Sequence, residues 1–555
     1  MKIGNRARKQ LGHFWLTVRG FFGLWVICVT TISSITNASA DNPLTPPIAV
    51  TRSGLVAGST TPGGIDEFLG IPYAAPPVGT SRWTPPKPYG LFPGFRWQAT
   101  QFGSECTQPG GIGSEDCLFL NVYTPASQPR ANEANFRGRG LPVMFWIHGG
   151  SLIRGGGNSY DPTRLVQNGV IVVTINYRLG YLGFFAHPAI DAEGHLNGNY
   201  GLMDQQLALK WVGENIAGFG GNPDRITIFG QSAGGQSVYS QLASPLAAGL
   251  FHRAIAESGS YVSFQDYYNF IVPLATAETT GTMGVPSGTA ISDAVGCTSQ
   301  TASCLRALSA SAFVTIEPAT LYPFTDGALL PQALGAAFSG GQFNRVPVLT
   351  GTNHDEWRYF VALQYDLGGN PILTATQYAT ATAALSGTAL QPTVLALYPY
   401  ANYPTGGEAL GASGTDGIFS CPARNAIRSL SNFVTTYAYE FNDENAPPPQ
   451  SAFGDSLTFP LGAYHTAELQ YLFADTSFFG LPTGPLSPSQ QQLSDAMISY
   501  WTQFAKTGNP NSSKQPAWSP YTTAADNFQS LMPPTPAPES SFDAEHRCST
   551  FWNTF

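Results

Sequence analysis

At 555 residues, with 43% hydrophobic and only 11% charged residues, the chain carries ample apolar material for a large core. Its formal net charge is −9, from 26 Lys+Arg against 35 Asp+Glu, and no basic run follows the N-terminus, which argues against a nucleic-acid partner.

Residues 1–40 read as an export signal. Lys2, Arg6, Arg8, Lys9 and Arg19 precede the apolar run Phe21 to Val29, and Ala38-Ser39-Ala40 offers a cleavage site before Asp41. That run is shorter than the ~20 residues a membrane span needs. A secreted or periplasmic protein with no stable membrane anchor is therefore expected, with residues 41–555 as one catalytic domain. Cys28 falls in the signal, which leaves six of the seven cysteines, an even number suited to an oxidising compartment. Spacing alone does not choose their pairing. Cys106/Cys117 and Cys297/Cys304 lack C-x-x-C spacing and a nearby paired histidine, so no metal site is expected.

After a Pro/Gly/Thr-rich entry (41–66), strand and helix signals alternate. Leu141 to Ile147 and Val170 to Ile175 are buried-strand runs, and Asp204 to Ile216 is a helix with Leu207, Trp211 and Val212 on one face. Arg225 to Phe229 is a strand, followed by a helix from about Ala233. Val346 to Thr350 is a later strand, and the Pro- and Gly-rich tracts at 404–416 and 445–455 read as surface loops. The alternation predicts an α/β protein with a mostly parallel sheet covered by helices on both faces.

Chemistry gathers at the predicted strand ends. Strand 225–229 runs into Gly230-Gln231-Ser232-Ala233-Gly234, a G-x-S-x-G turn whose glycines permit the sharp bend that exposes a serine nucleophile. His148-Gly149-Gly150-Ser151 follows strand 141–147, where two glycines let backbone N–H groups face a developing oxyanion, with the Ala233 N–H as a further donor. Gly351-Thr352-Asn353-His354-Asp355-Glu356 follows strand 346–350, and its residues do not choose between Asp355 and Glu356 as the acid that orients the base. If the order is Ser, acid, His, the base lies downstream. His354 is too close to the acid, His546 sits in a charged tail near Cys548, and His465 sits at a loop-to-helix junction. Ser232 and His465 are the expected nucleophile and base.

The chain resembles the type-B carboxylesterase/lipase family, which includes the cholinesterases. The resemblance rests on Phe68-Leu69-Gly70-Ile71-Pro72-Tyr73-Ala74 with Arg82-Trp83, on Glu115-Asp116-Cys117-Leu118-Phe119-Leu120-Asn121-Val122, on Asn176-Tyr177-Arg178-Leu179-Gly180, on Gly221-Asn222-Pro223, and on the serine turn. It implies an α/β-hydrolase fold with an N-terminal antiparallel strand region, Glu356 as the acid and His465 as the base. Gly150, Ser151 and Ala233 are the implied oxyanion donors, and Ser258 the implied serine that hydrogen-bonds the acid. It also implies disulfides Cys106–Cys117, Cys297–Cys304 and Cys421–Cys548. The implied activity is serine carboxylesterase, acting on a small-molecule ester without metal or organic cofactor.

Two departures narrow this. Only ten residues, Thr107 to Asp116, separate the first two cysteines, and none is aromatic. The tryptophan that stacks on choline in cholinesterases is thus missing from its usual place, and Gln231 stands where they carry a glutamate. The same loop is too short for the mobile lid of the family's fungal lipases, so short- to medium-chain or soluble esters are expected. A lipase, an aryl-ester (feruloyl or aromatic polyester) esterase and a non-catalytic adhesion module are the alternatives. Asn511-Ser512-Ser513 is a glycosylation sequon that matters only in a glycosylating host.

Overall fold

The computed structural model describes residues 46–554 apart from 127–139, 263–270, 282–283, 450–452, 454–455, 475–476, 479–480 and 483. The export segment lies outside the described residues. Alternating side chains on the central strands decide the architecture. In the strand Leu141–Ile147, Val143, Phe145 and Ile147 enter one apolar core while Met144 and Trp146 enter a second. In Ile171–Ile175, Ile171, Val173 and Ile175 enter the first and Val172 the second. A strand whose two faces both meet cores must lie inside a sheet covered on both sides, hence the unbroken apolar run.

Among the described residues the sheet has eleven strands. In chain order they are β1 (Ser59–Thr60), β2 (Ile65–Pro72), β3 (Phe119–Pro125), β4 (Leu141–Ile147), β5 (Ile171–Ile175), β6 (Gly221–Gln231), β7 (Arg253–Glu257), β8 (Val348–Asn353), β9 (Thr436–Phe441), β10 (Phe528–Leu531) and β11 (Ala537–Glu539). Their spatial order is β11-β10-β9-β8-β7-β6-β4-β5-β3-β2-β1. All pairs from β10 through β5 are parallel, and β3, β2 and β1 add antiparallel strands beyond β5. Among the described residues no helix is long and apolar enough to cross a membrane. The three expected disulfides are all formed.

Several local readings need correction. The 41–66 entry contains the hairpin Ile48–Thr51/Gly54–Ala57 as well as β1, because its Thr, Val and Ile residues pair rather than loop. The helix read from Asp204 starts at Tyr200, and the strand read at 346–350 runs from Val348 to Asn353. The tract at 404–416 is not a surface loop. It holds the buried helix Gly406–Gly414, started by a Thr405/Glu408 capping box. Its glycines serve close packing: a Cβ on Gly407 would lie 2.5 Å from the Phe459 ring, and one on Gly414 2.3 Å from Trp357. Residues 445–449 are irregular, as read; part of 450–455 lies outside the described residues.

Candidate active site

The carboxyl ends of β4, β6, β7 and β8 supply most of the site, as open parallel sheets favour. β6 lies in parallel register between β4 and β7, with Gly230 opposite Ile147 and Gln231 opposite Glu257. The chain then reverses into the helix Ala233–Ala243 so tightly that a Cβ on Gly234 would lie 1.9 Å from the Ile147 carbonyl oxygen. Ser232 at the corner has φ 57° and ψ −125°. Its N–H donates to the Glu257 carbonyl at 2.9 Å, and its own carbonyl accepts from the Gln236 N–H at 2.8 Å. Ser151, Leu152, Ser258 and Thr466, all in segments that meet at this site, also hold positive φ. Strain of this kind persists only where the surrounding structure imposes it, and it concentrates at functional sites.

His465 arrives from the segment between β9 and the short helix Leu469–Leu472. Its Nε2 lies 2.8 Å from Ser232 Oγ, and its Nδ1 hydrogen-bonds Glu356 Oε2. Glu356 is fully buried, and its Oε1 accepts from Thr352 Oγ1 and the Asn353 N–H, each at 2.8 Å. The structure thus brings Ser232, His465 and Glu356 into one hydrogen-bonded chain. Asp355 is spent elsewhere. Its Oδ2 accepts the Ala463 N–H at 2.9 Å and its Oδ1 pairs with Arg358 at 3.0 Å. Burial opposes its charge, but His354 and Arg358 hold it below the usual carboxylate range.

Ser258 does not bond the acid. Its Oγ is buried without a hydrogen-bond partner among the described residues. Glu356 opens the helix that follows β8, so the end of β8, at Thr352 and Asn353, reaches its carboxylate first. Asn353 went unnoticed in the sequence. Beyond its N–H to Glu356, its Nδ2 donates to the Tyr464 carbonyl at 2.8 Å and to Glu468 Oε2 at 2.6 Å. One residue therefore fixes the acid and the backbone just before the base. Its signal was its place three residues beyond the predicted end of β8.

The His148–Ser151 turn lies against the serine corner: a Cβ on Gly149 would be 2.7 Å from the Gln231 carbonyl oxygen. Gly150 has φ 109°, and a Cβ there would sit 2.1 Å from the Arg154 carbonyl oxygen, so glycine is required. The N–H groups of Gly150, Ser151 and Ala233 donate to no acceptor among the described residues. Ala233 also opens a buried helix, whose N-terminus favours negative charge.

Aromatic rings crowd the base. Phe360 and Phe419 lie 5.0 and 5.1 Å from the His465 ring, and Tyr261 lies 5.4 Å from Phe419. Behind the acid, burial pushes Glu257 up to about 8, against the Trp501 N–H that it accepts. Burial, then the charges of Glu356 and Glu257, push Glu468 well above the usual carboxylate range. His148 is buried against Tyr177, and burial lowers it to about 4.

His546 lies elsewhere: its two ring nitrogens face Asp416 and Glu440, each at 2.6 Å. Burial opposes its charge, but the two carboxylates hold it well above the usual imidazole range. Ligand-type atoms of His354, Glu440 and His546 lie within 4.8 Å of one another. With both its nitrogens engaged, His546 reads as an ion-paired cation rather than a metal ligand.

The family model for the carboxylesterase family matches residues 45–550. The chain is 34% identical to the acylcarnitine hydrolase of Mus musculus, over 92% of this chain and 91% of that protein. It is 33% identical to the para-nitrobenzyl esterase of Bacillus subtilis, over 84% and 91%. A solved PNB esterase structure superposes with a TM-score of 0.72 at 30% identity, covering 91% of this chain and all of that one. The fold is that of an α/β-hydrolase, and the chain belongs to the carboxylesterase family, a carboxylic ester hydrolase.

Proposed function

We propose that the protein is an exported serine esterase that hydrolyses soluble, short- to medium-chain esters through an acyl-enzyme. Ser232 Oγ attacks the ester carbonyl as His465 Nε2 takes its proton. Glu356 keeps the imidazole in the required tautomer and stabilises the cation that forms. The N–H groups of Gly150, Ser151 and Ala233 receive the oxyanion, each donor being worth about 2.7–4 kcal/mol in the transition state. His465 then protonates the departing alcohol, and water, deprotonated by the same nitrogen, releases the acid. The continuous hydrogen-bonded chain from Ser232 Oγ through His465 to Glu356 carries this reading.

The substrate class follows from the Cys106–Cys117 loop. Gln108 exchanges two hydrogen bonds with the Gly155 backbone, at 2.9 and 3.2 Å, which ties the loop to the oxyanion turn. So short and anchored a loop is unsuited to act as a lipase lid. The aromatic rings around His465 favour apolar acyl or alcohol groups, and they support aryl esters as the second reading. Six cysteines joined in three disulfides support export.

The test is a chain-length series of p-nitrophenyl esters and triglycerides, run beside Ser232→Ala. Activity is expected to peak on soluble esters and vanish in the variant, which stays folded. Ester hydrolysis by Ser232→Ala would refute the assignment. A sharp rise as a long-chain triglyceride passes its solubility limit would refute the substrate class.

A further inference from the structure

The carboxyl ends of the strands hold the ester chemistry, whereas the other end of β6 and β7 holds a cluster of positive charge. Thr227 of β6 lies in register with Arg253, the first residue of β7, and Arg225 precedes Thr227 by two residues. Both arginines meet the carboxyl end of the helix Pro488–Thr507. Arg225 Nη2 donates to the Lys506 carbonyl at 2.6 Å. Arg253 Nε lies 3.4 Å from where a Cβ on Gly508 would stand. Lys506 turns its own Nζ to the Asn168 carbonyl, also at 2.6 Å.

A groove of about 480 Å³ opens at the same helix end. Lys506 and Lys514 line it, along with amide and hydroxyl side chains that include Gln503, Ser512 and Ser513. The one carboxylate among its lining residues, Asp495, pairs with Arg164 at 2.7 Å. Arg225, Arg253, Lys506 and Lys514 therefore form no ion pair among the described residues, in a chain whose net charge is −9. Their mutual repulsion adds to the effect of burial. Burial, then Arg225 and Lys514, hold the Lys506 ammonium below its usual range, and burial, then Arg225, lower Arg253. Arg253 is the least satisfied of the four. Its Nε and Nη1 are buried with no acceptor among the described residues. A buried guanidinium N–H without a partner is costly and marks a place where a water or an ion belongs. Water supplies an acceptor but leaves the like charges side by side, whereas an anion answers both.

We propose that this end of the molecule is a binding site for a tetrahedral oxyanion, a phosphate or sulfate group, taken by Arg253 in the field of Arg225, Lys506 and Lys514. Such a group offers several acceptor oxygens on one small centre, and guanidinium donors suit its geometry. The adjoining groove leaves room for a carrier, so the group arrives either as the free ion or as an ester on a sugar chain. The site is independent of the ester chemistry. Arg225 and Ser232 are separated by seven residues, roughly 20 Å of strand.

Inorganic phosphate and sulfate, titrated at neutral pH and at an ionic strength held constant with sodium chloride, should each bind saturably by calorimetry and raise Tm. Arg253→Gln should weaken phosphate about tenfold to a hundredfold, through the loss of charge-assisted hydrogen bonds. Lys514→Gln, at an exposed position, should weaken it about twofold to fivefold. Without phosphate, Arg253→Gln should be at least as stable as wild type, because it removes a buried charge that lacks a partner. An arginine with a merely structural role would instead leave the variant weaker by the same amount with and without phosphate, and that result overturns the proposal. So does a phosphate response no greater than that of chloride, or one equal in wild type and Arg253→Gln. Should Arg253→Gln fail to fold, an undiminished phosphate affinity in Lys514→Gln overturns it. Hydrolysis of p-nitrophenyl esters at the wild-type rate confirms that each variant is folded. Dextran sulfate separates the two sources. Binding about a hundredfold tighter than the free ion, and weakened in both variants, assigns the groove to a sulfated chain. Binding no tighter than sulfate assigns the site to the free ion, and binding undiminished in both variants overturns the site.

Discussion

Glu257 should make the protein lose stability as pH rises through neutrality, and Glu257→Gln should remove that loss. The carboxyl is fully buried at the end of β7; its Oε1 accepts the Trp501 indole N–H at 2.7 Å and its Oε2 has no partner among the described residues. Burial raises it from 4.5 to about 8. The folded protein thus holds a proton that the unfolded chain releases. For a group raised in the folded state, the stabilisation is complete below the unfolded value and is lost as pH climbs through the folded one. Each unit in that window costs about 1.4 kcal/mol, so roughly 3 kcal/mol disappears between roughly pH 5 and pH 7, and roughly 5 kcal/mol by the top of the window. Glutamine keeps the acceptor for Trp501 and carries no charge. Its second amide atom replaces an unpartnered oxygen at every pH, which adds only a constant offset. The readout is therefore the slope: urea unfolding of both proteins from about pH 5 to about pH 8 should show the variant gaining on wild type steadily with pH. Glu317 and Glu539, also raised to about 8 by burial, titrate in both proteins and cancel in the difference. Parallel stability curves would show that Glu257 is ionised in the fold and that burial does not govern it.

Asn353→Ala should lower kcat by about fivefold to a hundredfold with little change in KM, because it loosens the Tyr464 carbonyl and leaves Glu468 without its donor. Steady-state kinetics decide this, and a rise in KM alone would contradict it. Gly414→Val should destabilise the protein by about 1–3 kcal/mol, since its side chain must displace Trp357, which chemical denaturation would detect. Replacing both Cys421 and Cys548 by serine opens a loop with a sequence separation of 127, and unfolding should become easier by up to about 4.9 kcal/mol. Removing the Cys297–Cys304 pair, with a separation of 7, should cost about half as much, and an inverted ranking would refute the loop-entropy account.

What the sequence revealed and what it hid divide along a physical line. Central strands were legible because both their faces are buried: Leu141 to Ile147 could only be an interior strand, and the structure keeps those bounds. The serine corner was legible because Gly230 and Gly234 are demanded by backbone approach, a constraint written in residue type. Residues 404–416 misled for a related reason. Glycine there signals close packing against Phe459 and Trp357 rather than a turn, and only the partner ring distinguishes the two uses. The choice between Asp355 and Glu356 was closed because the two carboxylates differ only in what faces them, Arg358 and the Ala463 N–H for one and the imidazole for the other.

Ser258 and Tyr261 carry that reasoning into the site. They flank the same corner three residues apart, and the sequence favoured the serine because its motif resembles a familiar one. In the fold, Ser258 Oγ meets no acceptor, whereas the Tyr261 hydroxyl reaches Gln236 on the serine's own helix. The difference comes from reach. A serine oxygen is one bond beyond Cβ and stays with its own strand end, while a phenol spans the gap to the neighbouring helix. Side-chain length at the carboxyl end of β7 therefore decides which of the two hydroxyls reaches the helix that follows Ser232, and it is that of Tyr261.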